Sequence, residues 1–306
     1  MSAGTTAVKR AMVALSCLAL AAVPGGASGQ TPLKVFISAD MEGVAGVVTS
    51  EQLGPTGFEY QRTREWMTAE VLAAIEGAKA AGATEIVVAD AHGNGQNLLI
   101  ERLPDDVTVI RSWPRPLMMM QGIDSTFHAA IFLGYHSATT NMNGVRAHTI
   151  SSARLAGVYL NGTPMAESGI NAAIAGHFGV PVVMISGDDA AVREAQELIG
   201  PMEGAEVKRA ISFHSAATMT PAAAQALIRE KVRAGVQRRN ELRPYVLNAP
   251  LNLDVTFKNY RPAEMLAYLP MIERRDAHTV RFTADDMVTI SKFIEFIVTY
   301  CPDIEP

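Results

Sequence analysis

Short apolar runs alternate with helix-like stretches through the first two thirds of the chain. Apolar runs of about 4–8 residues are typical of buried strands, whereas apolar side chains at every third or fourth position are typical of helices. We predict strands at 33–38, 85–89, 107–110, 129–133 and 180–186, helices at 63–81 and 167–178, and another helix that begins at Asp188 and Asp189. Strands and helices that alternate in this way form parallel sheets. The sequence therefore predicts an α/β fold.

The pattern changes after about residue 207. The last hundred or so residues combine expected strands at 207–212, 251–257 and 279–282 with expected helices at 221–239, 262–269 and 284–300. Thr220 is the type of residue that caps the start of a helix. We therefore expect a parallel-sheet N-terminal domain at 30–206 and a smaller α+β C-terminal domain at 207–306.

The first thirty residues differ from the rest. Lys9 and Arg10 precede an apolar run at 11–23, and mostly small residues follow at 24–29. This order is typical of a secretory signal peptide. The alternative is a membrane anchor, but the run is shorter than the roughly 20 residues that span a bilayer. We therefore assign a signal peptide to 1–29 and expect a periplasmic or secreted protein without a stable membrane span after its removal.

Composition narrows the range of partners. Of the 306 residues, 48% are hydrophobic and 19% are charged, and the formal net charge is -5. Because basic residues are not in excess, we expect no binding to nucleic acid. Removal of the signal peptide would leave Cys301 as the only cysteine, so no intrachain disulfide is expected.

Acidic and imidazole side chains follow three of the predicted strands. Asp40 and Glu42 come after the first strand and His92 after the second, while His136 follows the strand at 129–133. The carboxyl ends of parallel strands meet at one edge of a sheet, where ligands bind. We therefore expect these four side chains to lie close together in the first domain.

Glu167, at the start of a predicted helix, would add a third carboxylate. Carboxylates and imidazoles together suit zinc or manganese more than calcium. Five such ligands can hold two ions if one carboxylate bridges them, and paired metal ions are common in hydrolases. Taken singly, each residue has a simpler alternative as a turn former, a helix cap or a hydrogen-bonded surface histidine.

Four short motifs occur in order: Ser-Ala-Asp-Met-Glu-Gly at 38–43, Ala-Asp-Ala-His at 89–92, Leu-Gly-Tyr-His at 133–136 and Glu-Ser-Gly-Ile-Asn at 167–171. Together they resemble the zinc-dependent D-aminopeptidase family of the DppA type, which is associated with dipeptide transport. The resemblance implies two zinc ions per subunit, bridged by Asp40 and completed by four further ligands: Glu42, His92, His136 and Glu167. It also implies that His148 is a catalytic residue.

The same resemblance implies an enzyme that hydrolyses the N-terminal residue of small peptides, with a preference for D-amino acids, and that assembles into a ring-like homo-oligomer. Two alternatives remain open. The metal site could cleave another amide or ester, or the chain could be a periplasmic protein that binds peptides without cleaving them. A binding protein needs no such ligand set, so metal analysis of the purified protein would separate these classes.

Overall fold

A computed structural model describes residues 1–6 and 32–301 of the chain. Residues 7–31 carry most of the expected signal peptide and lie outside the described part, so that assignment stays a prediction. Within the described residues, no helix combines the length and the apolar character that a membrane crossing requires.

The elements of the described residues come in the following order. The strands are β1 (Lys34–Ala39), β2 (Glu85–Asp90), β3 (Val107–Ile110), β4 (Ala129–Tyr135), β5 (Leu155–Leu160), β6 (Thr163–Pro164), β7 (Val182–Asp188), β8 (Glu203–Ser212), β9 (Ser215–Thr218), β10 (Leu251–Phe257), β11 (Ile272–Arg274) and β12 (Thr279–Ala284). The α-helices are α1 (Tyr60–Ala80), α2 (Glu167–His177), α3 (Asp189–Ile199), α4 (Pro221–Gln237), α5 (Tyr260–Leu266) and α6 (Met287–Thr299). Short 3-10 helices lie at Ser50–Gln52, Ile100–Arg102, Met118–Met120 and Arg239–Glu241.

The larger sheet has the strand order β3-β2-β1-β4-β7-β8-β9. Neighbouring strands within this sheet are parallel, except that β9 forms an antiparallel hairpin with β8. This arrangement confirms the predicted α/β class. From β1 the chain adds β2 and β3 on one side and then returns to place β4 on the other side of β1. The strand order therefore reverses between β1 and β4, which is where ligands bind in open parallel sheets.

Layers on both faces of this sheet explain why its central strands are almost entirely buried. Every residue of β4 and of β7 is buried, as expected for parallel strands covered on both sides. Along β1, alternate side chains enter different cores. Val35 and Ile37 share a core with α1 and α4, whereas Phe36 belongs to a core that includes α2, α3, α6 and the smaller sheet.

The smaller sheet shows that the expected domain boundary does not match the division between the sheets. Its strand order is β11-β12-β10-β5-β6, and all its pairs are antiparallel. It thus combines strands from before residue 206 with strands from after residue 250. The expected boundary at 206–207 falls inside β8, because the change of pattern there marks the antiparallel edge of the larger sheet. Within the described residues, the chain from Pro32 to Cys301 forms one compact unit.

Candidate metal centre

The loop after β1 is pressed against the end of β4. Gly43 N donates a hydrogen bond to Gly134 O (2.6 Å). A Cβ at Gly43 would lie 2.1 Å from a carbonyl oxygen of β4, and one at Gly134 would lie 2.2 Å from the carbonyl oxygen of Asp40. Gly134 also has a φ of +67°, a conformation that favours glycine. Because both positions lack side chains, the loop can bring Asp40 and Glu42 beside His136.

Carboxylates and imidazoles from four parts of the chain meet at this edge of the sheet. His92 Nδ1 lies 2.8 Å from Glu42 Oε2 and 3.2 Å from Asp40 Oδ1. His136 Nε2 lies 3.3 Å from Asp40 Oδ2 and 3.4 Å from Glu167 Oε2. All five side chains are buried. The structure thus brings the five residues that were predicted to bind metal into one cluster.

The turn after β2 places His92 in this cluster. Asp90, the last residue of β2, accepts hydrogen bonds from Asn97 N (2.6 Å) and Leu98 N (2.8 Å). The Asn97 side chain in turn donates to the carbonyl oxygen of His92 (2.6 Å). Asp90 therefore fixes the backbone that carries His92, while its own oxygens are occupied by the turn.

His148 reaches the cluster from the segment between β4 and β5. Its ring stacks on the ring of His136, with centroids 3.9 Å apart, and its Nε2 lies 3.8 Å from Glu167 Oε1. The same Glu167 oxygen accepts a hydrogen bond from Ile150 N (2.7 Å). The residue predicted to be catalytic therefore lies beside the predicted ligands.

Each of the three imidazoles is oriented by a hydrogen bond on the side that faces away from the carboxylates. The partner is a backbone carbonyl oxygen in every case: Leu53 for His92 Nε2 (2.8 Å), Ser137 for His136 Nδ1 (3.1 Å) and Arg146 for His148 Nδ1 (2.8 Å). A carbonyl oxygen only accepts, so these nitrogens carry a proton. When a ring carries only this one proton, as in a metal complex, its opposite nitrogen offers a lone pair to the cluster, which is how histidines that bind metal are commonly held.

Three buried atoms of the cluster have no hydrogen-bond partner among the described residues: Asp40 Oδ2, Glu42 Oε2 and His136 Nε2. They lie close to other polar atoms of the cluster but are not aligned for hydrogen bonds. Buried polar atoms are normally paired, and leaving them unpaired is costly. A cation would satisfy all three, and their oxygen and nitrogen donors are a combination that zinc accepts.

The donor atoms form two overlapping groups, in each of which they lie within 4.8 Å of one another. One group comprises Asp40, Glu42 and His136, and the other comprises His136, His148 and Glu167. Two adjoining groups fit a centre for two metal ions. The geometry permits His148 either to bind metal or to move protons, whereas the sequence resemblance assigns it to catalysis.

Burial and charge shift the pKa values of the cluster in opposite directions. Burial lowers the pKa of His92 and His136, but the nearby carboxylates outweigh burial, so both pKa values stand well above the usual value for histidine. Burial raises the pKa of Glu42, but the charges of the nearby histidines and the hydrogen bond to His92 together outweigh burial, so the net shift is well downward. For Asp40, burial and the charge of Glu42 raise the pKa. Protons on the rings thus offset the carboxylates, and a metal ion would compete with those protons.

Comparison with known proteins decides the family. The family model of the D-aminopeptidases, peptidase family M55, matches residues 33–296. The chain belongs to this family. It is therefore a peptidase, a hydrolase that acts on peptide bonds, which confirms the enzyme class and the family predicted from the motifs.

Two relatives within the D-aminopeptidase family show how far the similarity extends. A D-aminopeptidase of Bacillus subtilis (strain 168) is 36% identical over 260 residues, which cover 84% of this chain and 93% of the relative. A solved structure is described as the Zn-dependent D-aminopeptidase DppA from Bacillus subtilis, a self-compartmentalizing protease. It matches this structure with a TM-score of 0.84 at 33% identity, over 88% of this chain and 100% of that chain.

A pocket of about 430 Å³ opens from the cluster. Buried acidic and imidazole residues form its inner end, and the apolar side chains of Trp113, Met119 and Ile150 line its walls. The exposed residue Arg154 lies at its outer part. This volume falls within the range of sites for small molecules.

Lys208, on β8, supports the loop that carries two of the predicted ligands, and the sequence analysis did not identify it. Its buried Nζ donates hydrogen bonds to the backbone carbonyl oxygens of Glu42, Val44 (3.2 Å) and Val47 (2.6 Å). Burial lowers the pKa of Lys208 to about 8. No local pattern reveals this role, because the Glu42 carbonyl lies 166 residues earlier in the chain.

Replacement of Lys208 by methionine should loosen this loop without removing any predicted ligand. Lys208→Met removes one donor from each of three carbonyl oxygens. We expect zinc affinity to fall by roughly 10–100-fold, the usual effect of losing a group that orients a metal ligand. Titration of zinc against a competing chelator measures the change.

Lys231→Met is the matched control, since Lys231 is half-exposed and pairs with Glu203 away from the cluster. Circular dichroism of both variants in chelator checks that they fold. Unchanged zinc affinity in a folded Lys208→Met variant would show that the loop does not depend on this lysine.

Proposed function

We propose that the chain is a dinuclear zinc aminopeptidase that removes the N-terminal residue of small peptides and prefers D-amino acids. The observation that carries this proposal is the cluster of three carboxylates and three imidazoles, all of which except His136 line one small pocket. Buried donor atoms without hydrogen-bond partners in the described residues support a bound cation there. The zinc dependence stated for the related Bacillus subtilis structure supports zinc as that cation.

Five residues would hold the two ions, with Asp40 between them and with Glu42, His92, His136 and Glu167 completing the shells. Asp40 suits the shared position because its two oxygens lie beside different histidines, Oδ1 near His92 and Oδ2 near His136. When bound, zinc supplies Lewis-acid chemistry that activates water and polarises the scissile carbonyl.

His148 would move the proton that peptide hydrolysis requires. Its Nδ1 is held by Arg146 O, so the lone pair of Nε2 faces the cluster. Nε2 can accept a proton from the attacking water and deliver it to the nitrogen of the leaving amine. The stacked ring of His136 and the carboxylate of Glu167 keep the imidazole in place for both transfers.

The purified protein should carry about two equivalents of zinc, as a paired-metal hydrolase requires, and chelator should abolish its activity. The zinc-loaded protein should release D-alanine from D-Ala-D-Ala faster than L-alanine from L-Ala-L-Ala. Mass spectrometry of bound metal and a stopped assay of released amino acid measure these outcomes. Full activity in zinc-free protein would rule out the metal, and cleavage of esters or non-peptide amides alone would favour a different hydrolase.

Asp40→Asn should reduce bound zinc more than any other single ligand change, because Asp40 would serve both ions. Asp106→Asn is its control, since Asp106 is an exposed carboxylate paired with Lys79. Retention of about two equivalents of zinc by Asp40→Asn would contradict the bridging role.

His148→Ala should retain its zinc while kcat falls by roughly 10²–10⁴, the usual contribution of a general acid or base. His177→Ala is the control, because His177 lies exposed at the end of α2. Metal content and steady-state kinetics are measured on the same samples. If His148→Ala loses zinc, then His148 is a ligand and not a proton carrier.

We further propose that the mature protein acts in the periplasm or outside the cell. The charged and apolar pattern at 9–29 supports export. Cell fractionation and sequencing of the mature N-terminus test this. An intact Met1 on cytoplasmic protein would refute it.

A homo-oligomer is the remaining part of the proposal. The related structure is described as a self-compartmentalizing protease, and this chain exposes several large apolar side chains in and after α5: Tyr260, Met265, Tyr268, Leu269 and Met271. Clustered exposed apolar groups commonly mark a protein interface. Analytical ultracentrifugation of the mature chain measures the assembly, and a monomer at micromolar concentration would refute it.

A further inference from the structure

The pocket contains one permanently charged basic side chain among many acidic ones. Among the described residues that line it, Arg154 is the only lysine or arginine. The carboxylates that line the same pocket are Asp40, Glu42, Glu167 and Glu295. A small peptide carries one positive and one negative end, so this uneven distribution of charge gives its two ends different places in the pocket.

Arg154 is held at the rim with part of its guanidinium free. Its Nη1 donates to Val298 O (2.7 Å) in the last turn of α6, where the helix dipole favours a cation. This is the one hydrogen bond of its side chain within the described part of the chain. The residue is exposed, so the remaining donors of the guanidinium are open to a ligand.

Chain geometry limits the distance between Arg154 and the cluster. Ile150 N is bonded to Glu167 Oε1, and Arg154 follows Ile150 by four residues, which span at most about 14 Å. A turn shortens this segment, since Leu155 N donates to Ser151 O (3.0 Å). An extended peptide of two or three residues is roughly 7–10 Å long. A peptide of that length can therefore place its amino end at the cluster and its carboxylate within reach of the Arg154 side chain.

We infer that Arg154 binds the C-terminal carboxylate of peptides of two or three residues and makes the enzyme select substrates with a free C-terminus. The inference rests on the proposed aminopeptidase function. A guanidinium binds a carboxylate through two parallel hydrogen bonds. Glu295, whose Oε1 accepts a hydrogen bond from Arg115 N (3.1 Å), lines the same pocket and disfavours a carboxylate elsewhere along that wall.

The test compares D-Ala-D-Ala with its C-terminal amide on zinc-loaded protein. The original chain should prefer the free acid. We take the ratio of kcat/KM for the acid to kcat/KM for the amide. In Arg154→Gln this ratio should fall roughly 10-fold, mainly because KM for the acid rises. A tenfold change is a typical effect of losing one hydrogen bond to a charged group. Arg154→Lys, which keeps the charge but not the planar donors, should fall less.

Arg233→Gln is the control, because Arg233 is exposed on α4 and does not line the pocket. Its ratio should equal that of the original chain. A ratio in Arg154→Gln that stays within about twofold of the original would overturn the inference, since a lost charged hydrogen bond changes affinity by more.

A binding measurement separates this inference from the proposed function. A dipeptide analogue in which the peptide carbonyl is reduced to a methylene cannot be hydrolysed, and calorimetry gives its dissociation constant as the acid and as the amide. If the original chain prefers the acid and Arg154→Gln does not, the inference holds even if no peptide is cleaved. Equal preference in both proteins refutes it, even if the original chain is an active peptidase.

Discussion

Three carboxylates are buried close together at the end of the larger sheet, and their mutual repulsion is the constraint that the surrounding structure must meet. Donor oxygens of Asp40 and Glu42 lie within 4.8 Å of each other. At about 4 Å and an effective dielectric constant of about 20, two like charges repel by about 4 kcal/mol, a large part of the roughly 5–15 kcal/mol that keeps a protein folded. Protons on the imidazoles or on Asp40, or bound metal ions, must therefore offset this repulsion.

Backbone contacts fix the positions of the carboxylates and of the imidazoles. The three imidazoles are fixed by carbonyl oxygens, and the loop with Asp40 and Glu42 is fixed on one side by the glycine contact with β4 and on the other by Lys208. Short links of this kind leave the side chains little freedom. Little rearrangement is then needed when a cation binds, so most of the binding energy goes into affinity.

The sequence predicted those parts of the site that follow from strand ends. Asp40, His92 and His136 lie where parallel strands finish, and the topology brings these ends together. Glu167 was included as a carboxylate at a predicted helix start, whereas His148 depended on the resemblance to a family, because nothing local to its loop shows that it faces a strand edge. The strand β5 was not predicted, since Gly157 interrupts its apolar pattern and its long partner β10 lies about a hundred residues later. Lys208 and Arg154 donate hydrogen bonds to backbone carbonyls that are distant in the chain, and such contacts leave no pattern in the sequence.

The position of β8 limits how the chain can be divided. A fragment that stopped at residue 206 would retain all six predicted site residues, yet it would lack Lys208, the helix α4 that covers α1, and β10, the neighbour of β5. Ligands alone therefore do not make a transplantable unit. Recombination with related chains, in the laboratory or in evolution, would therefore preserve the centre only where the parts of the chain before and after residue 206 came from the same parent.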